Sequence, residues 1–191
     1  VTQWGELTPL VAGTVFGARR WRYMTWNETQ WWGAGLTPGL YGYVCVEPDG
    51  KPYTEGINEA VHWGNTSCCC DACKPDHHVA MLACTCGIHG AWDMEDVPGS
   101  YHDARDVAGV IEGFGTVSLG RKGFRASRGR IVALVEPPDV TAFPLYMSTF
   151  DRTLLHKLYP SVPFFQSLDE LLAEYPVTDP TELLGASHGM G

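Results

Sequence analysis

Bulky apolar residues alternate with polar or small ones from Val15 to Met24 and again from Leu40 to Val46, the period-two pattern of half-buried strands. Asn27, Gly33, Gly35 and Pro38 break the chain between them. A short helix is expected in GINEAVH, residues 56–62. Further on, apolar runs at Val107–Ile111, Thr116–Leu119 and Ile131–Val135 are separated by glycines and charges and predict a meander of three short strands, closed by Pro137 and Pro138.

The C-terminal part changes period. Phe150, Leu154, Leu155 and Leu158 recur at helical spacing, with Ser148 or Thr149 as N-cap. SLDELLAEY predicts a second helix, because Ser167 and Glu170 stand at capping-box spacing. VPFF, between the two, reads as a short edge strand. The expected fold class is α+β: a β-rich sheet or barrel-like core, an organised loop, and short C-terminal helices. One domain is expected over residues 1–176, with 177–191 as a partly disordered tail ending in GASHGMG.

Composition supports one core. A chain of 191 residues with 22 Gly and 13 Pro is long enough to bury apolar side chains without staples and favours short elements and turns. The formal charge of -9 disfavours a general attraction to nucleic acid or anionic membrane. No stretch approaches the roughly 20 apolar residues of a membrane span. A cytoplasmic protein is expected.

One segment interrupts these patterns. Residues 68–89, CCCDACKPDHHVAMLACTCGIH, hold six of the seven cysteines (Cys45 is the other) and three of the seven histidines. An odd total with three consecutive cysteines suits disulfide pairing poorly, whereas zinc takes about four thiolate or imidazole ligands, delivered efficiently by short local pairs. Cys70 and Cys73 form a C-x-x-C pair and Cys84 and Cys86 a C-x-C pair, with Gly87 free to turn the backbone directly after it. The leading ligand set is Cys70, Cys73, Cys84 and Cys86; the main rival substitutes His78 for one of the first pair. Cys68, Cys69, His62, His77 and His89 are spare candidates. Zn2+ is the expected cofactor, and its role is expected to be structural, because four soft ligands leave no open position and neither H-E-x-x-H nor the zinc-deaminase signature is present.

At CTCGIHG the chain resembles an uncharacterised family of actinobacteria and their phages with the motif C-x-C-G-I-[HY]. Arg19–Trp21, His78, Cys84–His89 and Gly123–Ala126 occupy the corresponding places over about residues 14–135. The resemblance implies a phage or prophage accessory protein and a metal at the C-x-C pair; it implies no reaction.

Two further features bear on binding. Eight of the thirteen Lys and Arg residues fall in two runs: Arg19, Arg20 and Arg22, then Arg121, Lys122, Arg125, Arg128 and Arg130. The second run is a possible anion or nucleic-acid site, though solvated residues paired with carboxylates are the simpler reading. Trp31 and Trp32 sit side by side in a glycine-flanked loop and are possible partner-binding residues. No P-loop and no G-x-S-x-G occurs. A non-enzymatic protein that binds a host or phage protein is expected; the alternatives are a zinc hydrolase using Asp76 or Asp93 as base, or a binder of anions or nucleic acid.

Overall fold

The computed structural model describes residues 13–24, 39–41, 52–59, 87–97, 106–137 and 152–185. They form a seven-stranded mixed sheet with three short helices, a strand-rich α+β fold. The strands are β1 (Val15–Met24), β2 (Gly39–Tyr41), β3 (Asn58–Glu59), β4 (Ile88–Ala91), β5 (Asp106–Gly120), β6 (Gly123–Val135) and β7 (Phe164–Phe165). The helices are α1 (Arg152–Leu158), α2 (Leu168–Glu174) and α3 (Pro180–Gly185).

Four antiparallel pairings close on themselves. β1 pairs with β5 from Val15↔Gly113 to Arg22↔Asp106, and β5 pairs with β6 from Gly109↔Leu134 to Gly120↔Gly123. β6 then pairs with β4, and β4 returns to β1 through Ala18↔Ala91. The result is a ring of strands whose inside is filled by alternate residues of each: Val15, Trp21 and Tyr23 from β1, Ile88 from β4, Ile111 and Val117 from β5, and Phe124, Ala126, Ile131 and Leu134 from β6. A narrow ring leaves little room at its centre, and Phe124 takes it. A Cβ placed on Gly17, Gly90 or Gly113 would stand 2.6, 2.5 or 2.2 Å from a carbon of its ring, so three strands present glycine where the ring passes.

Those glycines correct the expected meander. The stretch is one hairpin of two long strands with its turn at Arg121–Lys122, not three short strands. Most of its glycines lie within strands where a neighbour comes too close for a side chain. Gly115 serves differently: at φ 79° it is the left-handed residue of a bulge between Phe114 and Val117, and the Thr116 N–H donates to Ser127 Oγ there at 3.0 Å.

The helix expected over 56–62 is also corrected where the structure describes it, since Asn58 and Glu59 form β3 against Gly129 and Arg128. The buried Asn58 amide organises the turn before it: Oδ1 accepts from the Thr54 N–H at 2.8 Å and Nδ2 donates to the Thr54 and Gly56 carbonyls at 3.0 Å. That local bonding competes with a helix and wins.

β2 and Tyr53 close one end. The Tyr53 N–H donates to the Leu40 carbonyl at 2.8 Å. Tyr159, just after α1, then joins them: its hydroxyl donates to the Tyr53 carbonyl at 2.7 Å and accepts from the Leu40 N–H at 2.9 Å. Tyr159→Phe is therefore expected to lose about 1–3 kcal/mol in urea unfolding, because it strands two buried backbone groups.

The outer face of β5 and β6 carries a second apolar cluster, Val110 and Ala133 with Leu171 of α2, flanked by Phe16, Val135, Phe165 and Tyr175. Ser167 caps α2, its Oγ accepting from the Glu170 N–H at 3.2 Å. β7 is an edge strand, as VPFF suggested, and runs parallel to β6. Past residue 176 the chain stays attached: the Thr178 N–H donates to the Phe16 carbonyl at 2.9 Å, Thr178 Oγ1 accepts from the Phe16 N–H at 2.7 Å, and α3 follows. No helix of the described residues is long and apolar enough to cross a membrane.

Candidate functional site

β4 is where the cysteine segment enters the fold. Cys70, Cys73, His78, Cys84 and Cys86 lie outside the described residues, as do Trp31 and Trp32. Gly87, directly after Cys86, is described and has φ 134°, a conformation that residues with a side chain rarely adopt. The next four residues are all buried and bond to β6 on one side and β1 on the other. The C-x-C pair therefore ends one residue before a strand that closes the ring. Among the described residues no three His, Cys, Asp or Glu side chains gather closely enough to hold a metal.

Polar groups concentrate around this strand. Directly opposed residues of antiparallel strands share a face, so the pairings Ser118↔Arg125 and His89↔Arg125 set Ser118, Arg125 and His89 in one row across β5, β6 and β4. The row lies on the face away from Phe124, and all three side chains are buried. Inside the ring, the Arg19 guanidinium donates through Nη1 to the His89 carbonyl and stacks 5.7 Å from the Trp21 ring centre and 5.2 Å from that of Tyr53. Burial lowers the Arg19 pKa and raises that of the Tyr53 phenol to about 12.

The two arginine runs thus meet at β4, with Arg19 bonded to the backbone of His89 and Arg125 opposite it in register. They do not form one exposed basic face. Of the second run, Lys122 pairs with Asp96, Arg128 Nε lies 3.2 Å from Glu59, and Arg130 reaches Glu112 Oε2 with Nε at 3.0 Å and Nη2 at 2.5 Å. Arg125 is buried. Arg121 alone of the five is exposed in the hairpin turn without a carboxylate pairing among the described residues.

Asp106 stands opposite Arg22 at the other end of β1, with Arg20 on the same face. Partial burial pushes its carboxyl up to about 6, more than the attraction of Arg20 and Arg22 pulls it down. A carboxyl with a raised folded-state pKa binds more protons folded than unfolded, so its contribution to stability falls as pH rises from about 4 to about 6 and is level above that. Asp106→Asn is expected to flatten this part of a plot of melting temperature against pH and to raise the melting temperature at pH 7. A melting temperature that is equally pH-dependent in wild type and variant over that window would refute it.

Tyr53, Tyr159 and Asp106 were not singled out from the sequence. Nothing in their local pattern marks them, because each acquires its role from a partner more than eighty residues away or across a strand. Arg19 was visible as one of a basic run and in the Arg19–Trp21 stretch of the family resemblance, neither of which gave it a buried place, although the alternation Arg19, Trp21, Tyr23 puts it on the inward face.

Scans against protein-family models and searches of curated proteins and of solved structures return no match to this chain.

Proposed function

We propose that the chain is a non-enzymatic, zinc-stabilised binding protein, a phage or prophage accessory factor that acts in the bacterial cytoplasm on a host or viral protein. The observation that carries the metal-clamp part of this reading is the position of β4: a buried, four-residue strand completing the ring, preceded by a positive-φ glycine and the C-x-C pair. An ion held by four of Cys70, Cys73, His78, Cys84 and Cys86 would fix the chain one residue from that strand. Zinc there supplies cross-linking of a segment that has no regular hydrophobic pattern of its own. The resemblance through Cys84–His89 supports the phage origin.

The described geometry weighs against the two alternatives. Asp93, one of the two bases a hydrolase would use, spends its Oδ1 on the Glu95 N–H at 2.9 Å, capping a 3-10 turn at Met94–Asp96. Three members of the basic run spend their charge on Asp96, Glu59 and Glu112, which suits a surface of balanced charge better than one that neutralises phosphates.

Native mass spectrometry on protein purified without added zinc tests the reading. One tightly held zinc is expected in the wild type and none in Cys84→Ser. Folded wild type without metal, or metal-dependent turnover of a small substrate, would overturn it.

A further inference from the structure

The chain changes character after α2. Up to Tyr175 it is held by packing: Leu171 is buried in the cluster with Val110 and Ala133, and the Tyr175 ring meets that of Phe165 edge to face at 5.8 Å. From Pro176 to Leu183 every residue is exposed or half-buried. Among the described residues, this stretch bonds to the ring at Phe16, whose carbonyl accepts from the Thr178 N–H and whose N–H donates to Thr178 Oγ1, and Leu183 packs against the main core cluster. Within itself the stretch is well tied. Asp179 Oδ1 accepts from the Thr181 N–H at 2.8 Å and from its hydroxyl at 2.7 Å, and the Asp179 carbonyl accepts from the Glu182 N–H at 3.2 Å.

The place of the Thr178 bonds gives them a role. β5 takes one edge of β1 from Val15 to Arg22, and β4 meets the other edge at Ala18. Thr178 covers that second edge two residues earlier, satisfying a donor and an acceptor that an open sheet edge would offer to another strand. It stands in for a strand residue, with its side-chain oxygen as one of the two partners. A piece that is tied within itself, little buried and bonded to the sheet at one residue opens at a far lower free energy than the sheet it covers.

We infer that residues 176–185 form a strap that opens and closes as one piece over an intact ring, hinged at Pro176 and Val177 and latched by Thr178. Shut, it guards the β1 edge at Phe16. Open, it presents the Phe16 N–H and carbonyl on the edge where β4 lies. The device needs no metal, and its failure would leave the cysteine clamp untouched.

Amide exchange of the full chain at pH 7, read residue by residue at a series of low urea concentrations and corrected for intrinsic rates, tests it. Phe16 and Thr178 are expected to share one opening that is insensitive to urea, with exchange at least a hundredfold faster than at Val107–Ile111. Thr178→Val removes the hydroxyl and keeps the shape, so it is expected to speed exchange at Phe16 at least tenfold and to leave Val107–Ile111 unchanged. Thr178→Ser keeps the oxygen and is expected to protect Phe16 as the wild type does. Wild-type Phe16 and Thr178 amides that exchange only with the urea dependence of Val107–Ile111 would overturn the strap. So would a Thr178→Val variant in which Phe16 stays as protected as in the wild type, or in which Val107–Ile111 loosen equally.

Discussion

Gly123→Ala is expected to destabilise the chain by more than about 3 kcal/mol, and more than Gly113→Ala, although each adds a single methyl group to the same hairpin. The difference lies in what the methyl meets. At Gly113 it would stand 2.2 Å from Cε2 and 2.9 Å from Cζ of Phe124, atoms at the far end of a side chain. At Gly123 it would stand 2.1 Å from the Gly90 carbonyl oxygen and 2.8 Å from the Ala91 Cα, both backbone of the strand that closes the ring. A side chain can tilt at a cost of about 1–3 kcal/mol, but the β4 backbone moves only by breaking its pairing with β6. Trimming the obstacle should therefore separate the two variants. Phe124→Leu is expected to recover part of the loss in Gly113→Ala, with a coupling of about 1 kcal/mol or more in a double-mutant cycle by urea unfolding, and none of it in Gly123→Ala. Equal rescue of both would mean that the close approach of β4 and β6 is not the constraint described.

The same glycines mark the boundary of what was legible. β1 could be read to the residue because its alternation depends on neighbours two positions apart. α1, α2 and the edge strand β7 were readable for a similar local reason: helical spacing, a serine cap and a two-residue aromatic pair between them. The β5–β6 hairpin was not. Gly109 and Gly113 resemble breaks between strands, but their true cause is tertiary: a Cβ at Gly109 would come within 2.3 Å of the Ala133 carbonyl oxygen, and one at Gly113 would meet Phe124. No local rule separates a glycine that ends a strand from one that lets another strand approach. The charges posed the same problem. The run from Arg121 to Arg130 looks continuous, yet the pleat sends Arg128 to Glu59 and Arg130 to Glu112, while Arg125 lies buried opposite His89.

The second large effect concerns the clamp and rests on the proposed zinc. Removing the ion with a chelator, or replacing Cys84 by Ser, is expected to speed amide exchange of Ile88–Ala91 by more than about a hundredfold, about 2.7 kcal/mol of opening free energy. β4 is only four residues long; it pairs with β6 over those four and with β1 through a single residue pair, so a clamp just before Gly87 is expected to supply much of its resistance to opening. Opening should spread to the partners of β4. Phe124–Ala126 are expected to follow, since they pair with Ile88–Gly90, and Arg19 would lose the His89 carbonyl that accepts from it. The long pairing of β1 with β5 does not depend on β4, so exchange at Val107–Ile111 should change far less. Cys45→Ser, outside the cysteine cluster, is the matched control and should leave β4 protected. Uniform loss of protection through β1, β5 and β6 would show that the ion holds up the whole fold. Protection of Ile88–Ala91 that survives complete zinc removal would show that the cysteine pair and the ring are independent, and the clamp would have to be abandoned.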